Sequence, residues 1–155
     1  MNQIMDIISK EIMVLVVAAM PLMELKGAIP LGISMGLNPF TAAMLGVIGS
    51  IIPVPFLLLL LNPIFTKLRR NPTWRKWIDK IINRTVKKTE KIHKYKALGL
   101  LLFVAIPLPT TGVWTGSLAA SLFRIPFVPA MSAIFIGNCI AAFIMMTLSK
   151  VVVSF

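Results

Sequence analysis

The 155-residue sequence predicts an all-α integral membrane protein, an inverted repeat of a re-entrant hairpin plus a transmembrane helix. A cytoplasmic amphipathic helix joins the two halves. Three observations predict this. Hydrophobic residues make up 57% of the chain and charged residues only 14%, against about 25% charged in an ordinary soluble domain. The positive charge is concentrated in one short central block. The apolar stretches on either side of that block parallel each other, and proline interrupts both.

The first half covers residues 1–66. Met1–Ser9 contains Asp6 and no basic residue, so a cleaved signal peptide is not expected. Two short pieces follow, Ile12–Met23 and Gly27–Leu37. At about 1.5 Å per residue each reaches about halfway through a hydrocarbon core of about 30 Å. Pro21, Gly27 and Pro30 mark an elbow between them, which makes the pair a re-entrant hairpin. The window Phe40–Thr66 is uncharged and long enough to span with some tilt.

The elbow stretch PLMELKGAIP carries Glu24 and Lys26 inside an otherwise uncharged run. A charge at the bilayer centre costs about 2.5–3.5 kcal/mol on insertion scales, so something in the fold or the function offsets it. On a regular helix residues two apart point to different faces. In an unwound elbow the two could converge on one cavity. Two readings stand: a mutual ion pair with no ligand, or a charged functional site.

Residues 67–96 hold twelve of the 16 Lys and Arg residues, opposed only by Asp79 and Glu90. A short loop this basic stays on the cytoplasmic side. Trp74, Trp77, Ile78, Ile81, Ile82, Thr85, Val86 and Ile92 recur at helical spacing, with Lys76, Lys80, Arg84, Lys87, Lys88 and Lys91 between them. Asn71 as N-cap and Pro72 at the first position open the helix. Its expected partners are anionic headgroups, with Trp74 and Trp77 inserted and the lysines outward. A nucleic-acid partner is not expected.

The second half, 97–155, repeats the first. Ala105-Ile106-Pro107-Leu108 parallels Ala19-Met20-Pro21-Leu22, and Pro126-Phe127 parallels Pro39-Phe40, at offsets of 86 and 87. Ala97–Ile106 and Gly112–Phe123 form the second hairpin around Pro107 and Pro109. Ile125–Ser149 is its span. Thr110 or Thr111 can cap the half-helix that starts near Gly112, turning free N–H groups and the positive dipole end toward the membrane middle. The hydroxyls could equally serve only local backbone. The alternative architecture joins each short pair into one kinked span, giving four helices with both termini inside; with hairpins both termini lie outside.

No Ser/His/Asp set or Gly-rich phosphate loop occurs, so an enzyme is not expected, nor a cofactor. His93 has no Cys or His partner at ligand spacing, and Cys139 reads as a small packed side chain. Two full spans leave much hairpin surface uncovered, which makes a homodimer an expectation.

PLMELKGAIPLGISMGLNP and AIPLPTTGVWTGSLAASLFRIPF carry a resemblance: the chain looks like the putative small multidrug export protein family. Through the two proline-glycine regions it is also similar to the DedA superfamily of bacterial inner-membrane proteins. That resemblance implies a multi-pass protein of the bacterial inner membrane that returns lipid phosphates such as undecaprenyl phosphate. It implies an acidic residue near the first hairpin, which Glu24 matches, and arginines in the second, of which Arg124 matches the closing one. Where relatives carry a further arginine near the tip, this chain has Thr110-Thr111-Gly112. The expected function is transport of an anionic lipid or amphiphile. Lys26, Arg124 and the Thr110–Gly112 amides would hold the headgroup, and Glu24 would carry the coupling proton. The alternatives are a proton-coupled exporter of cationic drugs with Glu24 as counter-ion, and a non-transport assembly factor acting through the basic helix.

Overall fold

The computed structural model describes residues 2–86, 92–108 and 111–153. Eight helices and no strand occur among the described residues. The first half holds α1 (Asn2–Ala19), α2 (Glu24–Ser34), α3 (Pro39–Ile51) and α4 (Pro53–Leu68). The linker is α5 (Pro72–Val86), and the second half holds α6 (Ile92–Ala105), α7 (Val113–Leu122) and α8 (Phe127–Val153).

Local chemistry sets the breaks. Pro21 lacks the N–H that would extend α1. The end of α2 closes with the Leu37 N–H on the Gly32 carbonyl and the Gly36 N–H on that of Ile33, both at 3.0 Å. Gly36 takes the left-handed conformation this closure needs, at φ 86°. Asn38 opens α3 by accepting the Phe40 N–H at 2.9 Å, ahead of Pro39 at the first turn.

Two helical runs are long and apolar enough to cross a membrane: Pro39–Leu68, which passes through α3 and α4, and Phe127–Val152 in α8. Only 28% and 39% of their apolar windows are buried inside the molecule, and Phe56, Leu59 and Phe143 point outward. A helix that is apolar all round belongs in a core or in lipid. Outward apolar faces leave lipid.

Each short pair folds back on itself. A Cβ at Gly32 in α2 would lie 2.9 Å from Val14 of α1, and one at Gly116 in α7 would lie 2.7 Å from Val104 of α6. The first helix of each half also rests on the long helix through a glycine. Gly49 leaves room for the Leu15 carbonyl and Ala18, and Gly137 for the Leu101 carbonyl and Val104. Such small residues let helix backbones approach closely. Across the halves α2 packs on α8 and α4 on α7. The larger core includes Val54, Leu58, Leu100, Val104, Val113 and Ile134, and a second joins Leu25, Ile29 and Ala42 to Ala141.

Several expectations change. The first helix is 18 residues long rather than confined to Ile12–Met23, because nothing in the polar start Asn2–Glu11 breaks a helix. Gly27 and Pro30 are not elbow residues but lie inside α2. The elbow is residues 20–23, with Pro21 in it, and Pro107 lies in the matching break after α6. Pro30 removes the bond that the Lys26 carbonyl would have accepted, and α2 nevertheless runs through it to Ser34. α5 starts at Pro72, with the Arg75 N–H on the Asn71 carbonyl at 3.0 Å. It is described as far as Val86, and Ile92 is the first residue of α6. Lys87, Lys88 and Lys91 lie outside the described residues, as do Pro109 and Thr110. Cys139 faces out of α8 instead of packing, while Asn138 beside it faces in.

Candidate functional site

The first turn of α2, which follows the break at residues 20–23, meets the break between α6 and α7. Glu24 is the first residue of α2 and takes the left-handed conformation, at φ 48°. That turn redirects its side chain away from the position helical geometry gives it. Glu24 and Lys26, two apart, therefore meet: Lys26 Nζ lies 3.7 Å from Glu24 Oε2.

The carboxylate reaches into the other half. Glu24 Oε1 accepts the Trp114 backbone N–H at 3.1 Å, with the Val113 amide alongside. Glu24 is only 6% exposed. It is thus the cap of α7, supplied from 90 residues away along the chain. A carboxylate at a helix N-terminus meets orphan N–H groups and the positive dipole end. Gly112 precedes this turn at φ 157°, and any Cβ there would collide with the Glu24 carboxylate.

Lys26 completes the exchange by donating to the Leu108 carbonyl at 2.6 Å. The ammonium thus meets a carbonyl freed by the second break, while the carboxylate meets its free amides. Thr111 does not cap α7. Its hydroxyl donates to the Ile106 carbonyl at 2.6 Å and accepts the Leu108 N–H at 3.2 Å, holding the break itself in shape.

Complementary charge also holds the far end of α7. Arg69 Nη2 donates to the Leu122 carbonyl at 2.9 Å, and Lys96 Nζ to the Phe123 carbonyl at 3.3 Å. Cations at a helix C-terminus are the favourable arrangement. Arg124 belongs to this end. Ten helical residues, about 15 Å of rise, separate it from the Glu24 contact. The structure therefore brings Glu24, Lys26, Thr111 and Gly112 together and leaves Arg124 with Arg69, because α7 runs unbroken between them.

Four residues escape a reading of motifs. Arg69 and Lys96 were hidden inside the basic block. The pair Ser50 and Asn138 lies at a buried helix crossing, where the Asn138 amide donates to Ser50 Oγ at 2.8 Å. An asparagine inside the apolar α8 was the available signal for it. Among the described residues no cluster of His, Cys, Asp and Glu could hold a metal.

A family model described as Putative small multi-drug export protein matches residues 24–144. The chain belongs to that family. No curated protein and no solved structure matches it. The matched stretch begins at Glu24, just after the first break, and runs through the second break and most of α8. It therefore contains every residue of the elbow contact. The family description and the outward-facing apolar helices together make the chain a membrane protein of export type.

Proposed function

We propose that this protein is a membrane transporter in which two re-entrant hairpins meet inside the bilayer, with the Glu24 contact as a latch between them. The single observation that carries the reading is the Glu24 carboxylate seated on the N-terminal amides of α7. It is an internal anion in a place where a substrate anion would bind.

The contact between Lys96 and Phe123 supports the hairpins, because it draws the start of α6 and the end of α7 to one level beside the basic segment. With that segment cytoplasmic, α6–α7 enters and leaves on the inside. α1–α2 then enters and leaves on the outside, which puts both termini there. Four equivalences at one offset support the inverted repeat. Gly36 and Arg124, Gly49 and Gly137, Glu24 and Gly112, Ser50 and Asn138 all stand 88 residues apart. The last two pairs are in direct register across the two halves, as positions on a pseudo-two-fold axis are.

In the cycle, protonation of Glu24 removes the charge that binds the α7 amides. An anionic lipid or amphiphile then takes those amides, with Lys26 turning from Leu108 to its headgroup. Loss of the proton returns Glu24 to its seat and expels the anion. Arg124 lies outside this site. Glu24→Gln keeps the shape and loses the charge. It should abolish movement of dodecyl phosphate across reconstituted vesicles while helix content is unchanged; full activity of the variant would refute the reading.

A second reading is export of cationic drugs, for which the family description supplies drug export but not the charge of the drugs. It uses Glu24 as the counter-ion, in competition with Lys26. Drug-stimulated proton release by the purified protein would favour it.

A further inference from the structure

We propose that the cleft between the end of α4, the start of α5 and the α7–α8 turn binds a phosphate group. The source is either the phosphomonoester headgroup of a lipid or free phosphate. Thr66, Arg69, Arg70, Arg75, Asp79 and Arg124 line this cleft, a cavity of about 390 Å³. Four guanidinium groups face one carboxylate, and Asp79 is already paired with Arg75 at 3.7 Å. Arg69 spends one N–H on Leu122. The Arg124 side chain makes no hydrogen bond or ion pair among the described residues. Burial and the neighbouring Arg124 guanidinium push Arg69 below its ordinary value. Uncompensated guanidinium groups converging on one cavity match the charge and the forked geometry of phosphate.

A second, independent observation lies next door. A smaller cavity of about 250 Å³ shares Thr66, Arg69 and Arg124 and is also lined by Ser121. Ser121 is 3% exposed, and its hydroxyl has no hydrogen-bond partner among the described residues. Buried hydroxyls are rarely left so. An oxygen held between Arg69 and Arg124 would supply the missing partner.

The backbone points the same way. The Ile125 N–H bonds the Ala120 carbonyl at 2.9 Å and the Arg124 N–H that of Ser121 at 3.3 Å. This closes α7 as Gly36 closes α2, and Arg124 has φ 53°. The position favours glycine. The first half has glycine there, whereas the second keeps an arginine despite the strain. A strained residue that persists where a relaxed one would fit points to use of its side chain.

The cleft is separated from the Glu24 contact by the length of α7, so binding here and transport through Glu24 can fail independently. The test uses the full-length protein in phosphatidylcholine nanodiscs, titrated with inorganic phosphate, and in nanodiscs that also contain phosphatidic acid. Arg124→Gly should weaken binding of one or both probes by about tenfold, and it should raise the thermal midpoint by relaxing the backbone. Lys10→Gln, which removes the same charge from α1, should leave binding unchanged. Loss of phosphatidic acid binding alone assigns a lipid headgroup, and loss of inorganic phosphate binding as well assigns the phosphate group by itself. Equal binding of both probes by wild type and Arg124→Gly, or no binding to wild type, overturns the proposal.

Discussion

The side-chain amide of Asn138 donates to the hydroxyl of Ser50 at 2.8 Å, with both residues buried. Ser50 in turn donates to the Gly46 carbonyl at 2.7 Å, so the hydroxyl is used in both senses. The bond ties α3 to α8, 88 residues apart along the chain. Interhelical hydrogen bonds in membrane proteins average about 0.6 kcal/mol and reach about 1.7. Asn138→Ala should cost stability in that range, measured by unfolding in mixed micelles. Combined with Ser50→Ala, it should show a coupling of similar size in a double-mutant cycle.

Gly112→Ala places a methyl group inside the space of the Glu24 carboxylate and should cost about 1–3 kcal/mol. Gly99→Ala, in open space on α6, should change stability by less than about 1 kcal/mol. Adding Glu24→Ala to Gly112→Ala should recover part of the loss, because the clashing group is gone. Equal thermal midpoints for the two glycine variants would contradict the geometry.

Lys26→Met leaves the Glu24 carboxylate without its cation and the Leu108 carbonyl without its donor. A loss of about 1–3 kcal/mol is expected for such stranded polar groups. The double variant Glu24→Gln/Lys26→Met should lose less than the sum of the singles. Additive losses in thermal unfolding would mean that the two charges act independently.

Cys139 faces outward on α8 and has no sulfur partner among the described residues. Cys139→Ser should therefore alter stability by no more than about 0.5 kcal/mol, as expected of an outlying position. A thiol-free background for labelling follows from it, checked by an unchanged elution profile in detergent.

The sequence made the helical class, the two long runs and the α5 start legible, because composition, charge and the Asn71-Pro72 signal are local. Glu24 and Lys26 stood out for the same reason, as charges in an apolar run. What they bond was not legible. A left-handed glutamate capping a helix 90 residues away depends on the halves meeting, and no local pattern encodes that. Gly27 and Pro30 misled because they are helix breakers by propensity, yet packing of α2 against α1 and α3 holds them in a helix. Arg124 was read toward the elbow on the strength of a motif. The unbroken helix between Val113 and Leu122 puts it at the other end.

The central claim is that each short helix pair dips into the bilayer and returns, so that Glu24 can meet α7 there. Tags at the two termini, probed with a membrane-impermeant reagent on intact cells in the Cys139→Ser background, test this most directly. Labelling of both tags from outside, with a cysteine at position 76 of the basic segment protected, is the predicted result. Protection of both termini, alongside the same protected position 76, would mean four crossings and would contradict it.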